Sequence, residues 1–143
     1  MKHLHLLSIA SLWALYATGC EAPGVGDPCI PETIPPGGFN DQESFIETSS
    51  VQCRTRVCLV YELKGDPTMI LGENCPPSAP PGLCPMREEV EERVYCTCRC
   101  KAPEGSTATT CDCPEGYSCE ELVTVGLAGG ARGHYCVKRS SIR

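Results

Sequence analysis

Tyr95-Cys96-Thr97-Cys98-Arg99-Cys100 is followed by a ten-residue polar loop, Lys101 to Thr110, and then by Cys111-Asp112-Cys113-Pro114-Glu115-Gly116-Tyr117-Ser118-Cys119. These twenty-five residues hold six of the chain's thirteen cysteines, and Cys136 follows downstream. In an extended strand successive side chains point to opposite faces. Cys96, Cys98 and Cys100 then share one face, and Tyr95, Thr97 and Arg99 the other. Same-face neighbours lie about 6.5–7 Å apart along a strand, at the upper limit of Cα separation for a disulfide, and their Cβ vectors run parallel. The three cysteines therefore need partners from other segments, as do Cys111 and Cys113. The expectation is a central strand stapled to several parts of the chain.

Upstream, Phe45 to Tyr61 reads as strand. Val51, Cys53, Thr55 and Val57 alternate with polar residues, and the apolar run Val57-Cys58-Leu59-Val60-Tyr61 follows. Arg54 and Arg56 fall on one face, as a solvated surface or a small anion-binding patch. Gly65 to Pro85 carries six prolines and is read as irregular. Cys75 and Cys84 bracket its densest part, and either close that loop or each staple it to the sheet. Glu88, Glu89, Glu91 and Glu92 have no calcium-loop spacing. They read as a solvated face leading into a strand that starts near Val90. Downstream of Cys119, Glu120 to Val125 is a short helix or strand and Gly126 to Gly133 a turn. His134 to Lys138 is a last strand with Cys136 inward, and Arg139 to Arg143 a frayed basic tail.

The N-terminus has the pattern of an export signal over residues 1–19. Lys2 gives the positive end, and Leu6 to Ala17 gives an apolar core too short to span a bilayer. The signal closes with Ala17-Thr18-Gly19-Cys20, which resembles the bacterial lipobox. That resemblance implies cleavage before Cys20, diacylglycerol on its sulfur and an acyl chain on its new amino group. The same bond also satisfies a small-x-small secretory cleavage rule. Parity favours the lipid. Thirteen cysteines cannot all pair, and assigning Cys20 to lipid leaves Cys29, Cys53, Cys58, Cys75, Cys84, Cys96, Cys98, Cys100, Cys111, Cys113, Cys119 and Cys136 as an even set. Two or three buried acyl chains anchor stably where one does not. Residues 20–39, dense in proline and glycine, read as the lipidated cysteine and a flexible tether, with Cys29 pinning its far end. Residues 40–143 form a single disulfide-stapled domain.

Removing residues 1–19 leaves 124 residues with thirteen cysteines, above the level of about 8–10% that marks a disulfide scaffold. Only six aromatics remain in that stretch, so the core is thin. Disulfides contribute about 2–4 kcal/mol each, and six of them rival the whole net stability of an ordinary domain, about 5–15 kcal/mol. The fold class is small, disulfide-rich and mainly β, with short antiparallel strands and long proline- and glycine-rich loops. The net charge of −6 gives no electrostatic footprint for nucleic acid. His134 is the only histidine after the signal, which argues against a nucleophile–base pair and so against an enzyme. No metal or other cofactor is expected.

Cys111-x-Cys113-x-x-Gly116-Tyr117 looks like the second half of an epidermal-growth-factor module, but Cys119 follows the tyrosine too soon and Cys136 too late. The likeness is one of local turn chemistry. A wider pattern joins Gly26-Asp27-Pro28-Cys29, Gln52 to Val60, Val94 to Cys100, Cys111 to Cys119 and Gly133 to Lys138. In that order and spacing it resembles a set of uncharacterised cysteine-rich predicted lipoproteins of myxobacteria. The resemblance implies an envelope lipoprotein and assigns no catalytic residue. The reading is an exported bacterial lipoprotein, anchored by lipid in the cell membrane or outer membrane. It would act as a binding or structural module for an unidentified envelope or extracellular protein. Two alternatives stay open: a thiolate metal binder using Cys96, Cys98, Cys100, Cys111 and Cys113, and a secreted protease inhibitor with the Gly65–Pro85 loop as bait.

Overall fold

Five consecutive side chains from Val57 to Tyr61 are apolar or sulfur-bearing, and a run of that kind suits a strand buried on both faces. The computed structural model describes residues 24–122 and 132–142 and places this run at the centre of a three-stranded antiparallel sheet. The segment read as an export signal, Cys20 of the lipobox-like stretch, most of the segment read as a Gly126–Gly133 turn and the end of the Glu120–Val125 segment lie outside the described residues. In chain order the elements are β1 (Ser44–Thr48), β2 (Val57–Tyr61), α1 (Arg87–Arg93), β3 (Val94–Thr97), β4 (Arg99–Lys101), β5 (Tyr117–Leu122) and β6 (Gly133–Lys138), with a closing 3-10 turn at Arg139–Ser141. They form two antiparallel sheets, ordered β1-β2-β3 and β4-β6-β5. The fold is small, mainly β and disulfide-rich.

The first sheet is covered on both sides. On one side Cys58, Val60, Val94 and Cys96 pack with Cys29, Phe39, Cys53 and Leu63. On the other, Ile46, Leu59, Tyr61 and Tyr95 meet Leu122, Tyr135 and Val137 from the second sheet. The alternation of β2 and β3 delivers both sets. Leu59 and Tyr95 are cross-strand partners on one face, and Cys58 and Cys96 are partners on the other.

Six disulfides use twelve cysteines: Cys29–Cys58, Cys53–Cys96, Cys75–Cys84, Cys98–Cys111, Cys100–Cys119 and Cys113–Cys136. Cys96, Cys98 and Cys100 bond to three separate segments and not to one another. The bonds also divide at one point of the chain. Every bond lies wholly before Thr97 or wholly after it, three on each side.

Several details depart from the alternation read in the sequence. The run from Tyr95 to Cys100 is two strands in two sheets, interrupted at Cys98. The Cys98 carbonyl accepts the Cys136 N–H at 3.1 Å, and the Thr97 hydroxyl donates to the Cys136 carbonyl at 2.6 Å. The strand thus leaves the first sheet to join β6. Residues 49–56, whose Val51-Cys53-Thr55 pattern mimics a strand, form the loop of the β1–β2 hairpin. Ser49 and Arg56 have φ of 77° and 62°, which extended strand excludes. The loop is closed by Ser50 N–H donating to the Arg56 carbonyl at 3.0 Å. Val90 lies in α1 and does not begin a strand. Acidic residues occupy the first turn of α1, and the Glu89 carboxylate accepts the Met86 N–H at 3.0 Å, satisfying a donor that the helix leaves over.

The basic tail is docked at Ser141, which is 2% exposed and donates to the Lys138 carbonyl at 2.8 Å. The proline- and glycine-rich lead-in lies against the first sheet from Gly26 onward. Cys96 N–H donates to the Asp27 carbonyl and Gly26 N–H to the Cys96 carbonyl, at 2.7 and 2.8 Å. Gly26 has φ of 95°, and a Cβ there would fall 2.2 Å from the Tyr117 hydroxyl oxygen, so glycine is required.

The two kinds of staple should separate on removal. In the chain-entropy account, the bond between Cys53 and Cys96, 43 residues apart, contributes about 4 kcal/mol, and Cys75–Cys84, nine apart, about 3 kcal/mol. Only the former is buried in the core, so its loss adds a cavity cost. The double variant Cys53→Ala/Cys96→Ala should unfold at markedly lower denaturant than Cys75→Ala/Cys84→Ala. Circular dichroism in a urea series reads the two midpoints directly.

Candidate functional site

The junction at Thr97 and Cys98 is the most elaborated part of the structure. Tyr95 is fully buried. Its hydroxyl accepts the Lys138 N–H at 2.9 Å, tying β3 of the first sheet to the end of β6 in the second. The Tyr117 ring meets it edge-on, with centroids 5.9 Å apart, and the Lys138 ammonium lies 4.8 Å from its ring centre. That ammonium also donates to the Glu91 carbonyl at 2.7 Å and approaches the Glu92 carboxylate at 3.9 Å. Ser140 donates to Glu92. The helix, both sheets and the closing turn therefore meet around one aromatic ring. Burial holds the Tyr95 hydroxyl above the ordinary phenol range, opposed by the hydrogen bond from Lys138. Burial also raises Tyr117, helped by the negative charges of Glu92 and Asp27.

Below the junction lies a cluster of sulfur. The Cys98 and Cys136 sulfurs are 3.8 Å apart, and those of Cys111 and Cys136 are 3.9 Å apart. Cys100, Cys113 and Cys136 form a second group within 4.8 Å. A third group, Cys29, Cys53 and Cys96, lies in the core of the first half. The five cysteines weighed as thiolate ligands, Cys96, Cys98, Cys100, Cys111 and Cys113, are all disulfide-bonded. A disulfide sulfur lacks the thiolate charge that binds a soft cation.

Two surface clefts flank the junction. One, of about 510 Å³, opens between the hairpin loop and the polar loop and is lined by Thr48, Arg54, Thr55, Val57, Cys98, Arg99, Thr109, Thr110, Cys111 and Tyr135. Among the described residues it brings together two arginines and four threonines, with no carboxylate in its lining. Arg99 donates to the Tyr135 hydroxyl at 2.8 Å and stacks 5.4 Å from that ring's centre. The sequence grouped Arg54 with Arg56. The turn at Arg56 undoes that grouping, and Arg54 and Arg99 instead line the same cleft. The available signal for Arg99 was its place on the non-cysteine face of the alternating run. The other cleft, of about 720 Å³, runs between the lead-in, the 65–85 loop and α1, with Ile30 and Ile70 beside the Glu73–Arg87 ion pair. The hydrogen bond and charge of Arg87 hold the Glu73 carboxyl below its ordinary value.

The remaining singled-out residues are dispersed. His134 faces Lys101 and Glu121 across the two strands beside it. In α1 the Glu89 carboxylate caps Met86 and the Glu92 carboxylate accepts from Ser140 of the closing turn. In the 65–85 loop the Asp66 side chain accepts from Thr68, and the Asn74 side chain braces Thr68 and Ile70. Among the described residues no helix is long and apolar enough to cross a membrane. So many disulfides suit an oxidising, exported location. No protein-family model matches the chain, and no curated protein or solved structure matches it.

The Tyr95 hydroxyl gives the junction a pH signature. Its pKa is raised on folding, so its stabilising contribution is complete below the unfolded phenol value, about 10, and is lost as pH climbs from there toward the folded value. Ultraviolet titration should show a tyrosine that ionises later than an ordinary phenol and is missing in Tyr95→Phe. That variant also strands the Lys138 N–H and should cost about 1–3 kcal/mol at neutral pH, measured by denaturant unfolding.

Proposed function

We propose that this chain is an exported lipoprotein whose disulfide-stapled β module serves as a binding or structural element at the bacterial cell envelope. One observation carries the reading: the six disulfides use every cysteine but Cys20. Cys20 ends a lipobox-like Ala17-Thr18-Gly19-Cys20 and is the one cysteine left over by the six bonds. Lipid on that sulfur accounts for the odd cysteine and for an apolar segment too short to span a bilayer. The resemblance to cysteine-rich predicted lipoproteins of myxobacteria agrees with this assignment.

The module is read as non-catalytic. Among the described residues Glu73 pairs with Arg87, Lys138 approaches Glu92 and Glu89 caps α1, and the two clefts at the junction are surface grooves. An exposed, covalently braced scaffold without a demanding core suits display to a protein partner outside the cytoplasm. Fixing loops with disulfides also lowers the entropy cost of binding through them. The membrane is reached through the lipid, with no role for nucleic acid.

The test is the mass and location of the protein made in a bacterium with a lipoprotein pathway. The wild-type chain should fractionate with membranes and carry the added mass of diacylglycerol and fatty acid on Cys20. Its mass should rise by about twelve hydrogens on reduction. Cys20→Ser should move it to the soluble fraction with the same twelve-hydrogen shift. A wild-type chain that is soluble and without lipid would overturn the anchor. Free thiols before reduction would overturn the stapled module.

A further inference from the structure

We propose that the second half of the molecule is a thiol–disulfide exchange relay that takes a low-molecular-weight thiolate at Cys119 and passes the exchange inward to Cys136. The observation is that the three bonds after Thr97 are contiguous. Cys136, fully buried, lies within 4.8 Å of Cys100 and Cys113, and 3.8 and 3.9 Å from Cys98 and Cys111. Each bond therefore has a sulfur of the next one close to contact distance. The series also reaches water, since Cys119 is exposed and its partner Cys100 half-buried.

The steps balance as ordinary exchange. An external thiolate attacks the Cys119 sulfur, forms a mixed disulfide there and expels the Cys100 thiolate. Cys100 is flanked in sequence by Arg99 and Lys101, and Cys119 by Glu120, so the positive charges favour Cys100 as the leaving group. The Cys100 thiolate then attacks Cys113, forms a Cys100–Cys113 bond and expels the Cys136 thiolate. Cys136 attacks Cys98, forms a Cys98–Cys136 bond and releases the Cys111 thiolate. One mixed disulfide and one protein thiolate exist at every stage. A second external thiolate that cleaves the mixed disulfide completes a two-electron reduction.

The other half supplies controls within the same molecule. Cys29, Cys53 and Cys96 are also clustered, but they and Cys58 are all buried, at 6% exposure or less. An external thiolate has no path to that group. Cys75 and Cys84 are half-buried and reachable, but they belong to no sulfur cluster among the described residues. Proximity without access and access without proximity are thus represented by different bonds.

The experiment uses the oxidised chain, limiting reduced glutathione and an acid quench, followed by alkylation and peptide mapping. The expected result is glutathione on Cys119, with alkyl label spread over Cys100, Cys136 and Cys111 and with new Cys100–Cys113 and Cys98–Cys136 pairs. Label on the reachable control bond should stay on Cys75 and Cys84, and the buried cysteines of the first half should stay unlabelled. Label confined to Cys100, with Cys98–Cys111 and Cys113–Cys136 intact, would overturn the relay. So would labelling of Cys29 or Cys96 as fast as Cys136. In Cys100→Ser/Cys119→Ser, labelling of Cys136 and Cys111 should slow tenfold or more, and an unchanged rate would contradict attack at Cys119.

Discussion

Cys96 and Cys98 are two residues apart and are bonded in opposite directions along the chain, one back to Cys53 and the other forward to Cys111. The residue between them, Thr97, is fully buried, and its hydroxyl holds the Cys136 carbonyl. This short length of backbone is shared by both halves of the molecule. Its N-terminal side is an edge of the first sheet and its C-terminal side an edge of the second. Because neighbouring positions of an extended chain face opposite ways, Tyr95 and Thr97 can look into the core between the sheets. Cys96 meanwhile faces the disulfides on the far side of the first sheet. The junction thus joins the halves by packing and hydrogen bonds, while each half is closed by its own staples.

That division explains how a chain with few aromatics holds a defined shape. The apolar contact between sheets rests on a handful of residues, chiefly Leu59, Tyr61, Tyr95, Tyr135 and Val137. A core of this size would be marginal alone. Each half has its unfolded ensemble restricted by three cross-links, so the packing between the sheets has less conformational entropy to oppose. The same economy leaves loops long and surface clefts open on both sides of the junction.

Much of this was legible in the chain. The alternating cysteines required distant partners, and Val57 to Tyr61 and His134 to Lys138 announced strands through their residue types. The break at Cys98 was not legible, because it is set by hydrogen bonds with Cys136, nearly forty residues away, and alternation continues through it unchanged. Residues 51–56 alternate as a strand does, yet left-handed turns at Ser49 and Arg56 make them a loop. The glutamates before Val94 face solvent in either a helix or a strand, and a helical period only two turns long is easily taken for the start of a strand. The cleft joining Arg54 to Arg99 depends on that hairpin loop folding over toward β4, which no local pattern encodes. Disulfide pairing lay beyond local reading altogether, since about ten thousand pairings of twelve cysteines are possible.

The most direct test of this account is the disulfide map of the oxidised protein, obtained by stepwise partial reduction, alkylation and mass spectrometry of the fragments. The account predicts bonds Cys29–Cys58, Cys53–Cys96 and Cys75–Cys84 before Thr97, and Cys98–Cys111, Cys100–Cys119 and Cys113–Cys136 after it. A native bond joining any cysteine before Thr97 to one after it would contradict the division into two separately stapled halves.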